Sequence, residues 1–232
     1  MHRFFVPDIF SDQKVIILPE EESKHATKVL RLKEGDTIEL INGKGDLFTC
    51  ELILTGKRAE VKVLQHLHET PDKQTIHIAI APTKNIDRLE WFLEKATEIG
   101  VDEVSLLLCE NSERKIVKME RLEKILVSAT KQSKRLYKPI LHDLLPFKTF
   151  IEQIENGGFI AHCEENRNRT ELRQQSIPED FLILIGPEGD FSPGEIELAL
   201  TKNFQPVTLG KNRLRTETAG VYVVSLAKIA TA

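Results

Sequence analysis

Four consecutive apolar residues followed at once by a Gly-Pro turn constrain the fold more than any other feature of the sequence. Residues 182–185 offer no polar side chain for a solvent face, so they fit a strand buried on both sides, as in a parallel sheet. Pro187 fixes its own φ and lacks an amide donor, while Gly186 and Gly189 permit backbone conformations that other residues avoid. Ligands of open α/β sheets bind beyond the carboxyl ends of strands, so we predict a ligand loop here.

A second segment of the same kind lies near the C-terminus. The predicted strand at 206–209 (Pro-Val-Thr-Leu) runs into Gly210-Lys211-Asn212, and residues 216–218 (Thr-Glu-Thr) then form a good helix start before the apolar stretch 219–232. Two such loops in one chain predict a pocket.

From residue 75 onward, apolar strands alternate with amphipathic helices, which is typical of a parallel α/β sheet. We predict strands at 75–81, 104–109, 159–163, 181–185 and 206–209, and helices at 86–99, 118–134, 147–155, 193–201 and from 216 to the end. Sequence alone therefore predicts a doubly wound fold for residues 71–232.

Residues 1–70 instead predict a small β-barrel with one helix. The helix is expected at 20–30 and strands at 14–18, 37–41, 47–54 and 60–67, with Asn42-Gly43-Lys44-Gly45-Asp46 as a strong hairpin signal. Pro71-Asp72-Lys73 is the natural domain boundary.

The composition indicates a globular cytoplasmic protein. Apolar residues make up 41% of the 232 and charged residues 29%, and no apolar stretch reaches the length of a membrane helix. The three cysteines (Cys50, Cys109 and Cys163) are odd in number and widely spaced, as expected of reduced thiols. The net charge of −4 argues mildly against a general nucleic-acid binder, but residues 114–138 hold nine Lys or Arg and only two acids. That stretch is either a solvated helix face or an RNA-phosphate patch, and for its end (Lys131, Lys134, Arg135 and Lys138) we favour RNA.

Several common motifs are missing from the sequence. No Gly-x-Gly-x-x-Gly follows a strand, and there is neither a P-loop nor a Gly-x-Ser-x-Gly elbow, which disfavours a Rossmann-type nucleotide-binding domain. His66 and His68 share one strand face but have no third ligand nearby in sequence, so we predict no metal site.

The two C-terminal segments resemble the signature of the RsmE family, SPOUT-class methyltransferases that modify N3 of a uridine in small-subunit ribosomal RNA. The family carries an Ile-Gly-Pro-Glu-Gly-Gly-like loop and a Leu-Gly-x-x-Ile-Leu-Arg-x-Glu-Thr-Ala-like loop, which match residues 185–190 and 209–219. The resemblance extends over essentially the whole chain, through residues 3–5, 25–31, 35–36, 95–101 and 132–135. Three departures are visible: Asp190 stands where a second glycine is usual, Asn212-Arg213 replaces Arg-Ile, and Lys131 precedes Gln132 where an acidic residue is common.

The resemblance implies a fold and a cofactor. The fold would be a SPOUT-type parallel sheet with a C-terminal trefoil knot, preceded by a PUA-like RNA-binding barrel over residues 1–70. The cofactor would be S-adenosyl-L-methionine, since the two loops would cradle the adenosine and the methionine tail. The residues implied to bind it are Cys163, Leu184, Ile185, Gly186, Pro187, Glu188, Gly189, Leu209, Gly210, Leu214, Thr216, Thr218 and Ala219.

Methylation at N3 of uracil requires removal of a proton, so a base or a group that stabilises the imidate oxygens is needed. Arg215 is our candidate for neutralising the developing charge. Glu217 and Glu188 are rival candidates for the base, although Glu217 would also suit a capping role at the helix start.

The expected target is uridine 1498 of 16S ribosomal RNA, free or within the 30S subunit, and the expected RNA contacts are Arg3, His25, Arg31, Lys134 and Arg135. For Arg31 the alternative is an ion pair with Glu34 or Glu39. The family further implies a homodimer, whose interface could use the apolar terminal helix (Val221, Tyr222, Val224, Leu226 and Ile229), although an intramolecular core would look the same.

Two other functions remain open from sequence. One is a SPOUT methyltransferase that acts on a ribose 2′-oxygen or a purine nitrogen. The other is a non-catalytic RNA-binding assembly factor with a vestigial pocket.

Overall fold

The chain packs into two compact units. A computed structural model describes residues 1–55, 58–164 and 168–230. The first unit contains Met1–Pro71 and Val127–Lys138, and the second contains Asp72–Leu126 and the chain from Pro139 onward. Residues 127–138, which the sequence analysis placed in the second domain, therefore pack with the N-terminal residues.

The first unit is built on a five-stranded sheet. Its strands are β1 (Arg3–Phe5), β2 (Val15–Ile17), β3 (Thr37–Ile41), β4 (Asp46–Thr55) and β5 (Arg58–His68), in the order β1-β3-β4-β5-β2. The predicted hairpin is confirmed, because β3 and β4 pair in antiparallel fashion on either side of residues 42–45. Gly43 and Gly45 have φ values of 75° and 97°, which is the left-handed region that glycine accepts without strain.

The predicted helix at 20–30 is two elements. Helix α1 (Glu20–Lys24) continues into a π-helical turn over His25–Val29, where the Leu30 amide donates to the His25 carbonyl at 2.9 Å. The apolar pattern alone does not distinguish a wider turn from an α-helix.

The second unit contains a seven-stranded, wholly parallel sheet, as the alternating pattern predicted. Its strands are β6 (Thr75–Ile80), β7 (Glu103–Leu108), β8 (Ile140–Pro146), β9 (Gly158–Ala161), β10 (Thr170–Glu171), β11 (Asp180–Ile185) and β12 (Phe204–Thr208). Their order is β10-β12-β9-β11-β6-β7-β8. The edge strands β8 and β10 were not predicted.

The α-helices described after residue 72 are α2 (Ile86–Ile99), α3 (Met119–Gln132), α4 (Phe147–Gln153), α5 (Pro193–Thr201) and α6 (Thr216–Ala230). The end of α3, from Val127, belongs to the first unit. Local sequence sets the ends of these helices. The Asn85 side chain accepts the Asp87 amide to cap α2, and Ser192 with Glu195 forms a capping box on α5.

The two faces of the sheet bury separate apolar clusters. One cluster joins alternate residues of the central strands, such as Ile78, to Phe92 of α2 and Val223 of α6. The other joins the intervening residues, such as Leu184, to helices α4 and α5. Because neighbouring residues of a strand point to opposite faces, a run such as 182–185 must be apolar throughout.

The terminal helix packs within the chain. Val224 is fully buried, Val221, Tyr222 and Leu226 pack against the first of these clusters, and Ile229 is exposed. Over the described ranges, no helix combines the length and apolarity needed to cross a membrane.

Candidate functional site

A cavity of about 500 Å³ lies where three neighbouring parallel strands end. Strands β12, β9 and β11 are adjacent in the sheet and finish at Thr208, Ala161 and Ile185, so the segments that follow them meet at the same edge. The two loops predicted from sequence line this cavity together, and the segment after β9 is its third wall.

Hydrogen bonds between side chains and backbone join the loops. The Thr216 hydroxyl, buried at the start of α6, donates to the Gly186 carbonyl at 3.0 Å. The guanidinium of Arg213 donates to the Glu188 carbonyl at 3.2 Å. The loop after β11 and the segment before α6 therefore hold each other in place.

Asp190, which stands where the family usually has a second glycine, accepts a hydrogen bond from the segment after β9. Its Oδ2 accepts the Cys163 amide at 2.7 Å, and its Oδ1 accepts the Phe191 amide at 2.9 Å. Its φ is 64°, which suits the glycine usual here and is tolerated by aspartate better than by most residues. Asp190 thus adopts a conformation that glycine also accepts, and its carboxylate joins two loops by a hydrogen bond.

Glu188 lines the cavity but is already engaged through one carboxylate oxygen. Its Oε1 accepts the Lys84 amide at 2.9 Å, in the segment after β6. Arg114 fixes that segment by donating to the Thr83 and Lys84 carbonyls.

Glu217 lies apart from the other predicted site residues. It is 7% exposed, does not line the cavity, and its Oε1 is 3.7 Å from Nε of Arg88 on α2. Among the described residues its Oε2 has no hydrogen-bond partner. A carboxylate in the first turn of a helix also interacts favourably with the helix dipole, so this placement fits a structural role.

Most of the predicted cofactor residues line the cavity. They are Cys163, Ile185, Gly186, Pro187, Glu188, Leu209, Gly210, Leu214, Thr216 and Ala219, and the predicted catalytic residue Arg215 lies with them. Leu184, Gly189 and Thr218 are outside the lining: Leu184 is buried in the core, and Gly189 and Thr218 are exposed.

The cavity lining also includes residues that are not among the individually predicted cofactor-binding or catalytic residues. They are Ala161, His162, Arg169, Asp190, Val207, Thr208, Lys211, Asn212 and Arg213. Lys211, Asn212 and Arg213 stand inside a segment already recognised as a ligand loop, so the segment itself was the signal. No sequence signal pointed to Arg169, because only the folded structure brings it to the site, where it donates a hydrogen bond to the His162 carbonyl.

The predicted RNA contacts of the first unit differ in whether their side chains already contact other residues of the protein. Arg3 is paired with Glu39 at 2.8 Å, and its side chain is only 9% exposed. His25 packs edge-on against Phe4, with ring centroids 5.9 Å apart. Glu39, an alternative partner for Arg31, is thus used by Arg3.

Residues 131–135 change the interpretation of the basic patch. Lys131, for which no acidic partner was expected, binds Glu22 at 2.7 Å. Lys134 and Arg31 are exposed and have left-handed φ values of 61° and 55°, and Arg135 is half-buried. All five predicted RNA contacts remain predictions.

Comparisons with known proteins decide the family. Residues 70–228 match the model of a family described as RNA methyltransferase domain, and residues 18–64 match an RNA methyltransferase PUA domain. Ribosomal RNA small subunit methyltransferase E of Rickettsia conorii is 30% identical over 233 residues, which cover 98% of this chain and 95% of that protein. The chain belongs to the RsmE family of RNA methyltransferases. The resemblance seen in the sequence is confirmed.

Solved structures of similar proteins agree with this assignment to the RsmE family. A probable rRNA-methyltransferase from Porphyromonas gingivalis is 40% identical, with a TM-score of 0.89 and full coverage of both chains. A ribosomal RNA small subunit methyltransferase E from Neisseria gonorrhoeae, bound to S-adenosyl methionine, is 30% identical, with a TM-score of 0.83 and coverage of 99% and 97%.

Proposed function

We propose that this RsmE-family protein transfers a methyl group from S-adenosylmethionine to N3 of uridine 1498 in 16S ribosomal RNA. The observation that carries the proposal is the cavity of about 500 Å³ at the carboxyl ends of β12, β9 and β11, formed by the two family-type loops. Its size is within the usual range for small-molecule sites, and a relative of 30% identity is bound to S-adenosyl methionine.

The lining of the cavity fits an adenosine with a charged tail. Ile185, Val207 and Leu214 provide apolar walls for a flat base, and the turns at Gly186 and Gly210 leave backbone groups without covering side chains. The amino end of α6 lies at the same cavity through Thr216, and a helix amino terminus favours a carboxylate. The bound cofactor supplies an electrophilic methyl group on sulfur.

Arg215 is proposed to act on the uracil. As the N3 proton leaves, negative charge spreads to the flanking carbonyl oxygens, and a guanidinium that stays protonated stabilises it. Glu188 is the better-placed of the two candidate bases because it lines the cavity, whereas Glu217 does not. Much of the rate acceleration would come from holding the cofactor and the uracil in the correct relative position and orientation.

The finer features of the family are proposed together with the reaction. The segment after β12 leads into α6, which packs against α2 and β6 in the middle of the sheet, and a trefoil knot of this C-terminal segment is proposed on the family basis. A homodimer, and contact of Arg3, His25, Arg31, Lys134 and Arg135 with the ribosomal RNA, are proposed on the same family basis.

The test begins with calorimetric titration of the full chain by S-adenosylmethionine and its demethylated product. Gly186→Val is the site variant, because a Cβ at this position would meet the Phe191 ring at 3.1 Å and its amide at 3.2 Å. Gly194→Ala is the matched control, since a Cβ there has only the Ser192 hydroxyl within reach, at 3.9 Å. Saturable binding that is lost in the first variant and kept in the second is expected.

The same protein is then incubated with labelled cofactor and either naked 16S RNA or 30S subunits, and the digested RNA is analysed for the modified nucleoside. N3-methyluridine at position 1498 is the expected product. A 2′-O-methyl or methylpurine product would replace the target, and no cofactor binding at millimolar concentration would favour a non-catalytic assembly factor.

A further inference from the structure

Three potential metal ligands meet at the end of the parallel sheet remote from the cavity. His77 lies on β6, Glu103 is the first residue of β7, and His142 lies on β8, which is an edge strand. The register pairs His77 with Glu103 and Ser105 with His142, so these side chains all emerge on the same face of the sheet.

The distances bring the three groups into one cluster. One ligand atom from each side chain lies within 4.8 Å of the other two. His142 Nε2 is 2.8 Å from Glu103 Oε2, and His77 Nδ1 is 4.0 Å from the same oxygen. In a tetrahedral zinc site, ligand atoms are about 3.3–3.6 Å apart. One of the two distances from Glu103 Oε2 is shorter than this spacing and the other is longer, so small shifts of the side chains would place all three groups around a zinc ion.

We propose that His77, Glu103 and His142 form a binding site for a divalent transition-metal ion of the zinc class. Two imidazoles and one carboxylate suit zinc better than magnesium or calcium, which take oxygen ligands. Three protein ligands leave the fourth position to water, and the cluster is open to it, since the side chains of His142 and Glu103 are 41% and 29% exposed.

The surroundings of His77 support this role. Its Nε2 is 2.8 Å from the hydroxyl of the buried Ser105, which leaves Nδ1 directed at the cluster, and the ring meets Phe150 edge-on at 6.1 Å. Such partners on the remote ring nitrogen orient metal-binding histidines.

The experiment must exclude zinc binding at two other places in the chain. His66 and His68 both bind Asp46, at 2.8 and 2.9 Å, and Cys163 is an exposed thiol. All variants are therefore made in a Cys163→Ser background, and His68→Ala serves as the matched control for loss of a histidine.

Metal-free protein is titrated with zinc chloride by calorimetry, and with cobalt chloride by visible absorption, which reports nitrogen and oxygen coordination. We expect one ion per chain. Glu103→Gln and His142→Ala should each weaken binding at least tenfold, Ser105→Ala should weaken it about tenfold because the orientation of His77 is lost, and His68→Ala should bind as the parent does.

Thermal unfolding without metal checks that each variant folds. Glu103→Gln keeps the shape of the side chain and decides the result if His142→Ala is unfolded. The proposal is overturned if the parent shows no saturable zinc binding at millimolar concentration, if folded Glu103→Gln binds as tightly as the parent, or if His68→Ala is the variant that abolishes binding.

Discussion

Asp190 shows how one residue joins two segments of the site. The backbone at this position is left-handed, with φ of 64°, and the carboxylate accepts the Cys163 amide at 2.7 Å. A glycine would accept the conformation but lose the hydrogen bond, and an alanine would lose the bond and strain the backbone.

We expect Asp190→Ala to lower the free energy of unfolding by about 2–3 kcal/mol, since a hydrogen bond to a charged acceptor contributes about 1.5–3 kcal/mol and alanine tolerates the left-handed backbone less well than aspartate does. Asp190→Gly should lose about 1 kcal/mol less. Urea denaturation of the three proteins measures both values. Equal stability of the alanine and glycine variants would refute the strain argument. A glycine variant as stable as the parent would show that the hydrogen bond does not contribute to stability.

Substitution of the single side chain of Arg215 tests its proposed role in the methyl transfer. It lines the cavity, so removal of its guanidinium should lower turnover on 30S subunits about 100-fold or more, while the affinity for S-adenosylmethionine changes less than about threefold. Arg173→Ala, at an exposed arginine outside the cavity lining, removes an equal charge and is the control. Single-turnover kinetics and calorimetry separate the two effects, and normal turnover of Arg215→Ala would remove the assignment.

At the scale of elements, the close packing of α6 on α2 depends on a glycine. A Cβ added to Gly220 would lie 2.4 Å from Cε2 of Phe92 and 3.3 Å from Cδ1 of Ile80, and both of these residues are fully buried. Alanine is the better helix former by about 1 kcal/mol, so intrinsic preference and packing oppose each other here.

Packing should dominate, because side chains of a dense core cannot withdraw without cost. Gly220→Ala is expected to destabilise the protein by about 1–3 kcal/mol. Gly194→Ala, also in a helix but with open space around the added carbon, should be neutral or stabilising. Chemical denaturation compares the two variants, and a Gly220→Ala protein as stable as the parent would contradict the contact argument.

At the scale of the whole molecule, charge should govern the interaction with RNA. Lys134 is exposed, so Lys134→Glu should weaken binding to 16S RNA and reduce the slope of log affinity against log salt by about one or more. Lys148→Glu, an equal charge change at an exposed side chain of α4, is the control. Filter binding at several salt concentrations is the measurement, and an unchanged affinity would exclude Lys134 from the interface.

The extent to which sequence predicted the structure also depends on scale. Buried strands such as β11 and capped helices such as α2 were predicted within a residue or two, because their apolar runs and end signals are local. Strand β8 was not, since none of its residues is fully buried and its apolar pairs, Ile140-Leu141 and Leu144-Leu145, are separated by His142-Asp143. Most of the residues that line the cavity followed from two local loops, but Arg169 did not.

What could not be predicted depends on contacts between distant segments. The pairing of Lys131 with Glu22, the exclusion of Glu217 from the cavity, and the meeting of His77, Glu103 and His142 all require the order of the strands or the packing of the helices. Apolar periodicity records burial but not which buried segment lies beside which.

The bonds that Asp190, Thr216 and Arg213 make between the cavity loops have a thermodynamic consequence for ligand entry. A site assembled by its own hydrogen bonds has already lost the conformational entropy that flexible loops would lose on binding. Association of a ligand then involves little rearrangement of the loops. Differences in affinity between related ligands should therefore arise mainly from their dissociation rate constants. The loops behave as a preorganised receptor.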